Sequence, residues 1–340
     1  MVKYIIKRVA LAILILIAVS LIIYFLVRLM PYDITDTLKN SEGTNEEAIL
    51  ALKKNLGLDD NSFKGILKGY FSWVKSVFTL TEDGFISLGL SAKDSKPVSG
   101  IIAGGIGDTF KLAVVTTILE FMIAIPLGIT AATHQYSFRD YVVTVVVMMG
   151  IALPSFFFGN AFKLIFAQTG IIDNWLIDIL GKDSFVYMVI DKLFIYPPSG
   201  TGKLENYILP IITVTILSIG GRMRMTRTNM LEVLNSDYIR TARAKGLKER
   251  KVINKHAFRN TLIPLVTTLA GLIPSLFSGA IITETIFGLD GIGKIALART
   301  NGVDISFIMG YNMFLATLAV LGILLSDIMY AIVDPRVKLE

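Results

Sequence analysis

The sequence has 340 residues, 53% of them hydrophobic and 18% charged, with a formal net charge of +6. Soluble domains are less apolar and more charged, so this composition excludes an ordinary soluble protein. The chain has no cysteine, which excludes disulfides and thiol chemistry, and its two histidines, His134 and His256, are too few for a histidine-based metal site.

The N-terminal segment predicts a membrane-spanning helix. Residues 9–27 hold 19 consecutive positions without a charge, close to the roughly 20 apolar residues that a helix needs to cross the hydrocarbon core. Lys3, Lys7 and Arg8 precede this run, as they would in a signal peptide. The run is longer than the roughly 7–15 residues of a signal peptide, and no small-residue cleavage site follows it, so we predict that the helix is retained.

Five further spans are predicted downstream. Uncharged runs occupy residues 141–162, 260–283 and 305–326, and each is long enough to cross a bilayer. Residues 112–133 are uncharged except for Glu120, and the shorter run at 206–221 is expected to continue past Arg222 on an amphipathic face. The sequence therefore predicts an all-α integral membrane protein with six spans, which places both termini on one side.

Loop charges predict that both termini are cytoplasmic. With six spans, one side carries residues 1–8, 134–140, 222–259 and the C-terminal tail, which together hold 17 Lys and Arg. The other side holds 13, spread over loops about twice as long. Because cytoplasmic loops are enriched in Lys and Arg, the denser side is cytoplasmic. The positive net charge is thus a loop bias, and it does not indicate nucleic-acid binding.

The loop at 30–106 is the largest part predicted outside the membrane. Residues 46–60 favour a short helix with Gly57 near its C-terminus. The stretch GILKGYFSWVKSVFTL at 65–80 then places aromatic residues among lysines, namely Phe71, Trp73 and Phe78 beside Val74. This pattern suits a helix lying on the membrane surface, and it suits equally a core helix of a small external cap.

Two acidic residues fall in or next to predicted spans. Ionisable groups there are functional candidates, because burying a charge in lipid is costly. Glu120 would pair with a cation such as Lys111 if packing brings the two together. Glu284 lies near the outer end of the fifth span. Together with Thr283 and Phe287 it would line a translocation path or a gate; the alternative is a structural hydrogen bond to helix ends in the external turn.

The most informative segment is NSDYIRTARAKGLKERKVINKHAFRNTLIP at 235–264, which is polar and cationic and lies between two spans. Ser236 or Asp237 can cap a short helix through YIRTARAK, and Gly246 fits a left-handed C-cap. A second helix is predicted from Lys248, with an apolar side.

Two interpretations of this segment compete. An ordinary positive-inside loop is usually shorter and less ordered, whereas a helix, a glycine and a second helix form a rigid element that can enter a groove on a partner. Ala242 and Ala244 would leave room for another surface to approach closely. The pattern favours docking.

The stretch GLDGIGKI at 288–295 is one residue short of a phosphate-binding loop. Ile295 occupies the place of the Ser or Thr that would bind magnesium. The stretch also lies on the predicted external side and follows no predicted strand, so the context of that motif is missing. We predict a glycine-rich turn at a helix end.

Segment 235–264 resembles the cytoplasmic "EAA" loop of ATP-binding-cassette importer permeases, in particular the first membrane subunit of their peptide and nickel branch. The general form begins Glu-Ala-Ala where this chain has Arg240, Thr241 and Ala242, so the chain follows the branch pattern DYVRTARAKGLxExxVxxxHAxRNxLIP. The matching residues are Asp237, Tyr238, Arg240, Thr241, Ala242, Arg243, Ala244, Lys245, Gly246, Leu247, Glu249, Val252, His256, Ala257, Arg259, Asn260, Leu262, Ile263 and Pro264.

Other stretches are similar to the same family. They are SLGLS followed by KPV in the first external loop, ALPSFFFG at 152–159, ETIFGLDGIGKI at 284–295 and YAIVDPRV at 330–337. Two places depart from the family pattern: Asp290 stands where a proline is usual, and GGIGDTFKLAVV differs from the usual start of the second span.

The resemblance implies an architecture and a set of partners. An N-terminal transmembrane helix (1–29) and an external loop region (30–106) would precede a permease core (107–340) of the type I importer fold, with a coupling loop at 230–262. The partners implied are a second related permease, two cytoplasmic ATPases and an external substrate-binding protein, in a bacterial cell membrane. ATP and magnesium would be bound by the ATPases, so this chain would need no cofactor and would not itself be an enzyme.

Peptides are the expected substrate, although relatives in this branch also handle nickel complexes, glutathione and oligosaccharides. A gradient-driven secondary transporter is a competing interpretation, but such proteins usually carry internal repeats, and none is evident here. An intramembrane enzyme is disfavoured because the sequence lacks His-Glu-x-x-His and Gly-x-Ser-x-Gly.

Overall fold

The computed structural model describes residues 2–29, 54, 60, 62–82, 84–91, 93–166, 171–186, 188 and 200–333. Its helices are α1 (Val2–Arg28), α2 (Phe63–Val77), α3 (Val98–Thr133), α4 (Phe138–Ala152), α5 (Ser155–Phe166), α6 (Ile171–Leu180), α7 (Ile208–Leu234), α8 (Asp237–Ala244), α9 (Glu249–Lys251), α10 (Phe258–Phe277), α11 (Ile281–Phe287), α12 (Ile292–Asn301) and α13 (Ile305–Val333). A 3₁₀ turn (Leu204–Tyr207) precedes α7, and a π-helical stretch (Val252–Ala257) joins α9 to α10. The helix expected at 46–60 falls almost entirely outside the described residues.

Within the described part of the chain, four helices are long and apolar enough to cross a membrane, at 4–28, 98–133, 204–234 and 305–328. Two bent helix pairs, α4 with α5 and 271–287 with α12, raise the number to six if each pair is one span. The expected helix from 206 does continue past Arg222, and it ends at Leu234. The helix predicted from residue 112 begins earlier, at Val98.

Two expected unbroken spans are interrupted. The run 141–162 bends by 99° between α4 and α5, because Leu153 is extended (ψ 136°) before Pro154, and a residue that precedes proline is disfavoured in the helical region. The run 260–283 breaks after Phe277, where Gly279 adopts φ +79°. The Ser278 carbonyl freed at this break accepts a hydrogen bond from the Tyr311 hydroxyl at 2.8 Å.

The chain divides into two units. Unit 1 comprises residues 1–107, 270–279 and 291–340, and unit 2 comprises residues 108–269 and 280–290.

The core of unit 1 forms where α2 packs against α1 and α13. Trp73 and Val77 of α2 are buried together with Tyr24 and Val27 of α1 and with Ile305 and Met309 of α13. Gly65 and Gly69 lie on the same buried side of α2. The burial of Trp73 is what the cap alternative predicts, while Phe71 on the same helix stays 65% exposed.

A polar network, which we call the Ser91 clasp, holds the segment before α3 to the start of α13. The Arg299 guanidinium pairs with Asp94 at 2.7 Å and with Asp304 at 3.1 Å. The Ser91 hydroxyl donates to Asp304 at 2.5 Å, and Asp304 also accepts from the Phe307 amide at 3.2 Å. The clasp thus gives a structural role to the last serine of SLGLS.

Unit 2 is built on close contacts among α3, α4 and α7. Glycines allow these contacts, because a Cβ at Gly128 would meet the Met223 carbonyl and the Thr226 side chain, and one at Gly150 would meet the Ile216 carbonyl. Small residues at helix crossings serve this purpose in membranes, where apolar burial alone does not drive helix association.

Candidate functional site

The segment between α7 and α10 folds as the sequence predicts. Helix α8 begins at Asp237 after Ser236, although the Ser236 hydroxyl donates to the Val233 carbonyl at 2.6 Å instead of capping α8. The helix ends at Ala244 with Lys245 as its C-cap, and Gly246 follows with φ +75°. Only glycine and, less often, Asn or Asp adopt this left-handed conformation routinely, so Gly246 fixes the turn.

One side of α8 is anchored in the core of unit 2. Ile239 (fully buried) and Ala242 (7% exposed) pack with Met230, Val252 and Ala257. The expectation that Ala242 leaves room for another surface is therefore wrong, because that methyl group faces the chain's own core. Ala244, its companion in that expectation, is exposed.

The other side of α8 and the following turn are open to solvent. Tyr238 is 46% exposed. The other exposed residues between 237 and 249 are Asp237, Arg240, Thr241, Arg243, Ala244, Lys245, Gly246, Lys248 and Glu249. An anchored helix thus presents a polar and largely cationic face.

An ion pair spans the glycine turn. The Arg243 guanidinium donates to Glu249 at 2.8 and 3.2 Å. This hydrogen bond lowers the pKa of the Glu249 carboxyl and raises the pKa of Arg243. Because both side chains are about half exposed, the pair contributes little to stability, about 0–1 kcal/mol. The pair links the last turn of α8 to the first residue of α9.

The chain after the turn continues without a break into α10. Leu247 is half-buried against the core that holds Ile239, and His256 is also half-buried. Asn260 donates its amide to the His256 carbonyl at 3.1 Å, and Arg259 is exposed. The side-chain placement of the last matching residues, 262–264, lies outside what the structure describes.

A cavity of about 700 Å³ opens beside α8, between the α7 end, the α9 segment and residues 132–137. Arg243, Glu249 and Arg250 line it together with His134 and Asn254. No sequence motif predicts a role for residues 134–137, but a count of six spans places this short loop on the same side of the membrane as 222–259. The position of the loop beside the α8 core agrees with that prediction.

Glu284, Thr283 and Phe287 form a second group in unit 2, and all three are buried. The Glu284 carboxylate accepts from the Thr109 hydroxyl at 2.7 Å and from the Ala280 amide at 3.1 Å. Phe287 packs with Leu112. The carboxylate therefore ties the start of α11 to α3, as the alternative of a hydrogen bond to a helix end describes.

The two groups lie at opposite ends of unit 2. Leu112 of α3 packs with Phe287, and Ala132 of the same helix packs with α8. These positions are 20 residues apart, which in a helix corresponds to about 30 Å. That separation matches the thickness of a bilayer hydrocarbon core, about 30 Å.

Between these ends lies an ion pair that sequence reasoning did not identify. Glu120 pairs with Arg222 at 2.9 Å and not with Lys111, which bonds Asp108 at 3.2 Å instead. Arg222 also donates to Thr268 at 3.2 Å and lies 4.7 Å from the centre of the Phe121 ring. One feature could have indicated this pair: Arg222 falls inside a helix that continues for 12 more residues, to Leu234, so its charge needs a partner within the helix bundle.

The stretch 288–295 is not a phosphate-binding loop in this fold. Gly288 ends α11 in the left-handed conformation (φ +68°), and Gly291 precedes α12. The Thr201 hydroxyl donates to Asp290 at 3.1 Å. The prediction of a glycine turn at a helix end is confirmed.

Comparison with known proteins gives a family and relatives that cover the chain from end to end. The family described as "Binding-protein-dependent transport system inner membrane component" matches residues 124–339, and the family of N-terminal parts of such components matches residues 1–113. The oligopeptide transport system permease protein AppB of Bacillus subtilis is 33% identical over 342 residues, covering 99% of this chain and 100% of the relative. The dipeptide transport system permease protein DppB of Escherichia coli is 30% identical over 352 residues, covering 99% of each.

Among solved structures, an inward-facing form of the MetNI methionine ABC transporter aligns with a TM-score of 0.49 and 16% identity. The alignment covers 71% of this chain and 99% of that one.

Proposed function

This chain belongs to the family of inner-membrane components of binding-protein-dependent transport systems, and we propose that it forms half of the membrane path of an ATP-driven importer of oligopeptides or dipeptides. The observation that carries this proposal is the end-to-end similarity to an oligopeptide permease and a dipeptide permease. A match confined to 235–264 would support ATPase coupling alone. The observed matches also include the spans and the segment 30–106.

The role proposed for α8 and the Gly246 turn is to dock on a cytoplasmic ATPase. Ile239 and Ala242 anchor α8 in unit 2, so a force on its exposed face reaches α7 and α10 directly. Tyr238, Thr241 and Lys245 are exposed and would make the contact. ATP and magnesium belong to the ATPase, and this chain carries out no covalent step.

The assembly proposed contains a second related permease, two ATPases and an external substrate-binding protein. The family description, which names dependence on a binding protein, supports the last of these. We place the assembly in a bacterial cell membrane with both termini of this chain cytoplasmic, since the loops on that side hold 17 Lys and Arg against 13 in the longer loops opposite.

Glu284 is proposed as a positioning residue at the outer end of the path, with Thr283 and Phe287 packed around it. Its hydrogen bonds to Thr109 and to the Ala280 amide join two helices there. Opening of a gate at this point would have to keep these hydrogen bonds or replace them with others. Because an unpaired buried carboxylate is costly, the two hydrogen bonds favour the arrangement in which α11 stays against α3.

The test is uptake of labelled di- to hexapeptides into lipid vesicles that hold the transporter purified through a tag on this chain. Peptide uptake that requires ATP is the expected result. ATP hydrolysis that is stimulated by the binding protein, without peptide uptake, would support an importer whose substrate is a nickel complex, glutathione or an oligosaccharide instead of a peptide. Uptake driven by a proton or sodium gradient without ATP would contradict the proposal.

A further inference from the structure

Helix α2 carries an apolar stripe on the side that faces away from its core. Phe63, Leu67 and Phe71 of α2, together with Phe78 at its C-cap, expose 75, 40, 65 and 60% of their surface. Phe63, Leu67 and Phe71 are four residues apart, and Phe78 follows Phe71 by seven residues, or about two helical turns, so these side chains lie along one face. A stripe of three phenylalanines and a leucine is a large apolar surface to leave in water.

The packing of α2 prevents this stripe from turning inward. Gly65, Gly69, Trp73 and Val77 recur at four-residue intervals and form the buried face of the helix. Trp73 lies against Tyr24, with ring centroids 6.1 Å apart. Since this face is already committed to the core of unit 1, the stripe must find its partner elsewhere.

The depth of α2 relative to a bilayer follows from what it touches. Tyr24 and Val27 belong to the last turns of the span at 4–28, and Ile305 and Met309 belong to the first turns of the span at 305–328. Both spans therefore have an end at α2. In addition, Arg28 donates to the Asp60 carbonyl at 3.0 Å, just before α2 begins. The helix thus lies at the level where the hydrocarbon core gives way to headgroups.

Charge complementarity identifies the partner. Lys64, Lys68 and Lys75 are exposed on the flank of the stripe, each one residue after Phe63, Leu67 or Val74. A helix with an apolar stripe beside a row of lysines is typical of helices that lie in the interface and bind anionic lipid. Lysine near an anionic surface adds to this binding electrostatically.

We infer that α2 lies in the headgroup layer of the membrane, with Phe63, Leu67, Phe71 and Phe78 reaching the acyl boundary and Lys64, Lys68 and Lys75 binding the phosphates of anionic phospholipid. The inference goes beyond transport: it assigns α2 a lipid partner whether or not the substrate is a peptide. It also combines the two interpretations that the sequence left open, because one face of α2 is a core face and the next is a membrane face.

The absence of cysteine from the chain allows a direct test with spin labels. Leu67→Cys and Phe71→Cys place labels on the stripe, and Ser72→Cys places a matched label on an exposed position outside it. The transporter, purified through this chain, is put into nanodiscs of phosphatidylcholine with or without phosphatidylglycerol, and the label signal of the unsubstituted transporter is subtracted. Collision rates with oxygen, which concentrates in lipid, and with a water-soluble nickel chelate are then measured.

The expected result is a higher oxygen-to-nickel ratio at 67 and 71 than at 72. Replacing all three lysines by Gln should lower the ratio at 67 in discs with phosphatidylglycerol and leave it unchanged in pure phosphatidylcholine. A ratio at 67 equal to that at 72 would overturn the inference. So would an immobilised label at 67 shielded from both reagents, which would identify a protein as the partner. A ratio at 67 that stays unchanged in the lysine variant in discs with phosphatidylglycerol would overturn the headgroup contact.

Discussion

Breaking the Glu120–Arg222 pair should destabilise unit 2 more than any change to its exposed charges. The side chains are only 11 and 16% exposed, and removal of one partner from a buried ion pair costs about 3–5 kcal/mol. Arg222 would keep its hydrogen bond to Thr268, worth about 1 kcal/mol. We therefore expect Glu120→Met to lower the free energy of unfolding by about 3 kcal/mol.

A double-mutant cycle separates the pair from general packing. Arg222→Met should cost a similar amount, and the double variant should recover about 2 kcal/mol relative to the sum of the two single changes. The assay is denaturant unfolding in mixed micelles, with Lys111→Gln as the control because that lysine is 66% exposed in its own ion pair. Effects of Glu120→Met and Arg222→Met that simply add, within about 0.5 kcal/mol, would refute the reasoning.

Three further outcomes follow from other contacts. Ile239→Ala should lower the free energy of unfolding of the purified protein by about 3 kcal/mol, measured by denaturant unfolding. Tyr238→Ala should change it by less than about 0.5 kcal/mol but weaken co-purification of the ATPase; a destabilised Tyr238→Ala beside an unaffected Ile239→Ala would contradict the assigned faces of α8. The Arg299 guanidinium hydrogen bond holds the pKa of Asp94 below its ordinary value. The stability contributed by this pair is complete above the unfolded pKa of Asp, about 3.9, and is lost as the pH falls through the folded pKa. Acid should therefore lower the melting temperature of the wild type more than that of Asp94→Asn, and parallel acid curves would exclude a stabilising Asp94–Arg299 pair. Gly279→Ala should lower the free energy of unfolding by about 2 kcal/mol or more, measured as a lower melting temperature. The reason is that Gly279 has a left-handed backbone and that the added methyl group would strike a neighbouring backbone. Gly104→Ala, whose added methyl group would meet no atom within 4 Å, is the neutral control.

The helical architecture is readable from the sequence because uncharged runs near 20 residues long have few alternatives to a membrane helix. The α8 segment is also readable, since Gly246 and the polar residues before it determine a short helix and a left-handed stop. Both features depend on local sequence alone.

The features that could not be predicted depend on contacts between distant segments. Glu120 pairs with Arg222, which lies 102 residues further along the chain. Nothing in the sequence spacing favours Arg222 over Lys111 as the partner of Glu120. Ala242 faces inward because the phase of α8 is set by Ile239 against Met230 and Val252. The bend before Pro154 had a local signal, but proline in a membrane helix is compatible with a straight span as well.

The most direct test of the central claim compares two substitutions at one position. Gly246 has φ +75°, and a Cβ added there would meet no atom within 4 Å, so Asn, which tolerates the left-handed region, should keep the turn. Proline is fixed near φ −65° and cannot keep it. The measurement is ATP-dependent peptide uptake by the reconstituted transporter.

Gly246→Asn should retain uptake, and Gly246→Pro should lose it while the subunits still assemble. Equal uptake by the wild type and Gly246→Pro would contradict coupling through this loop.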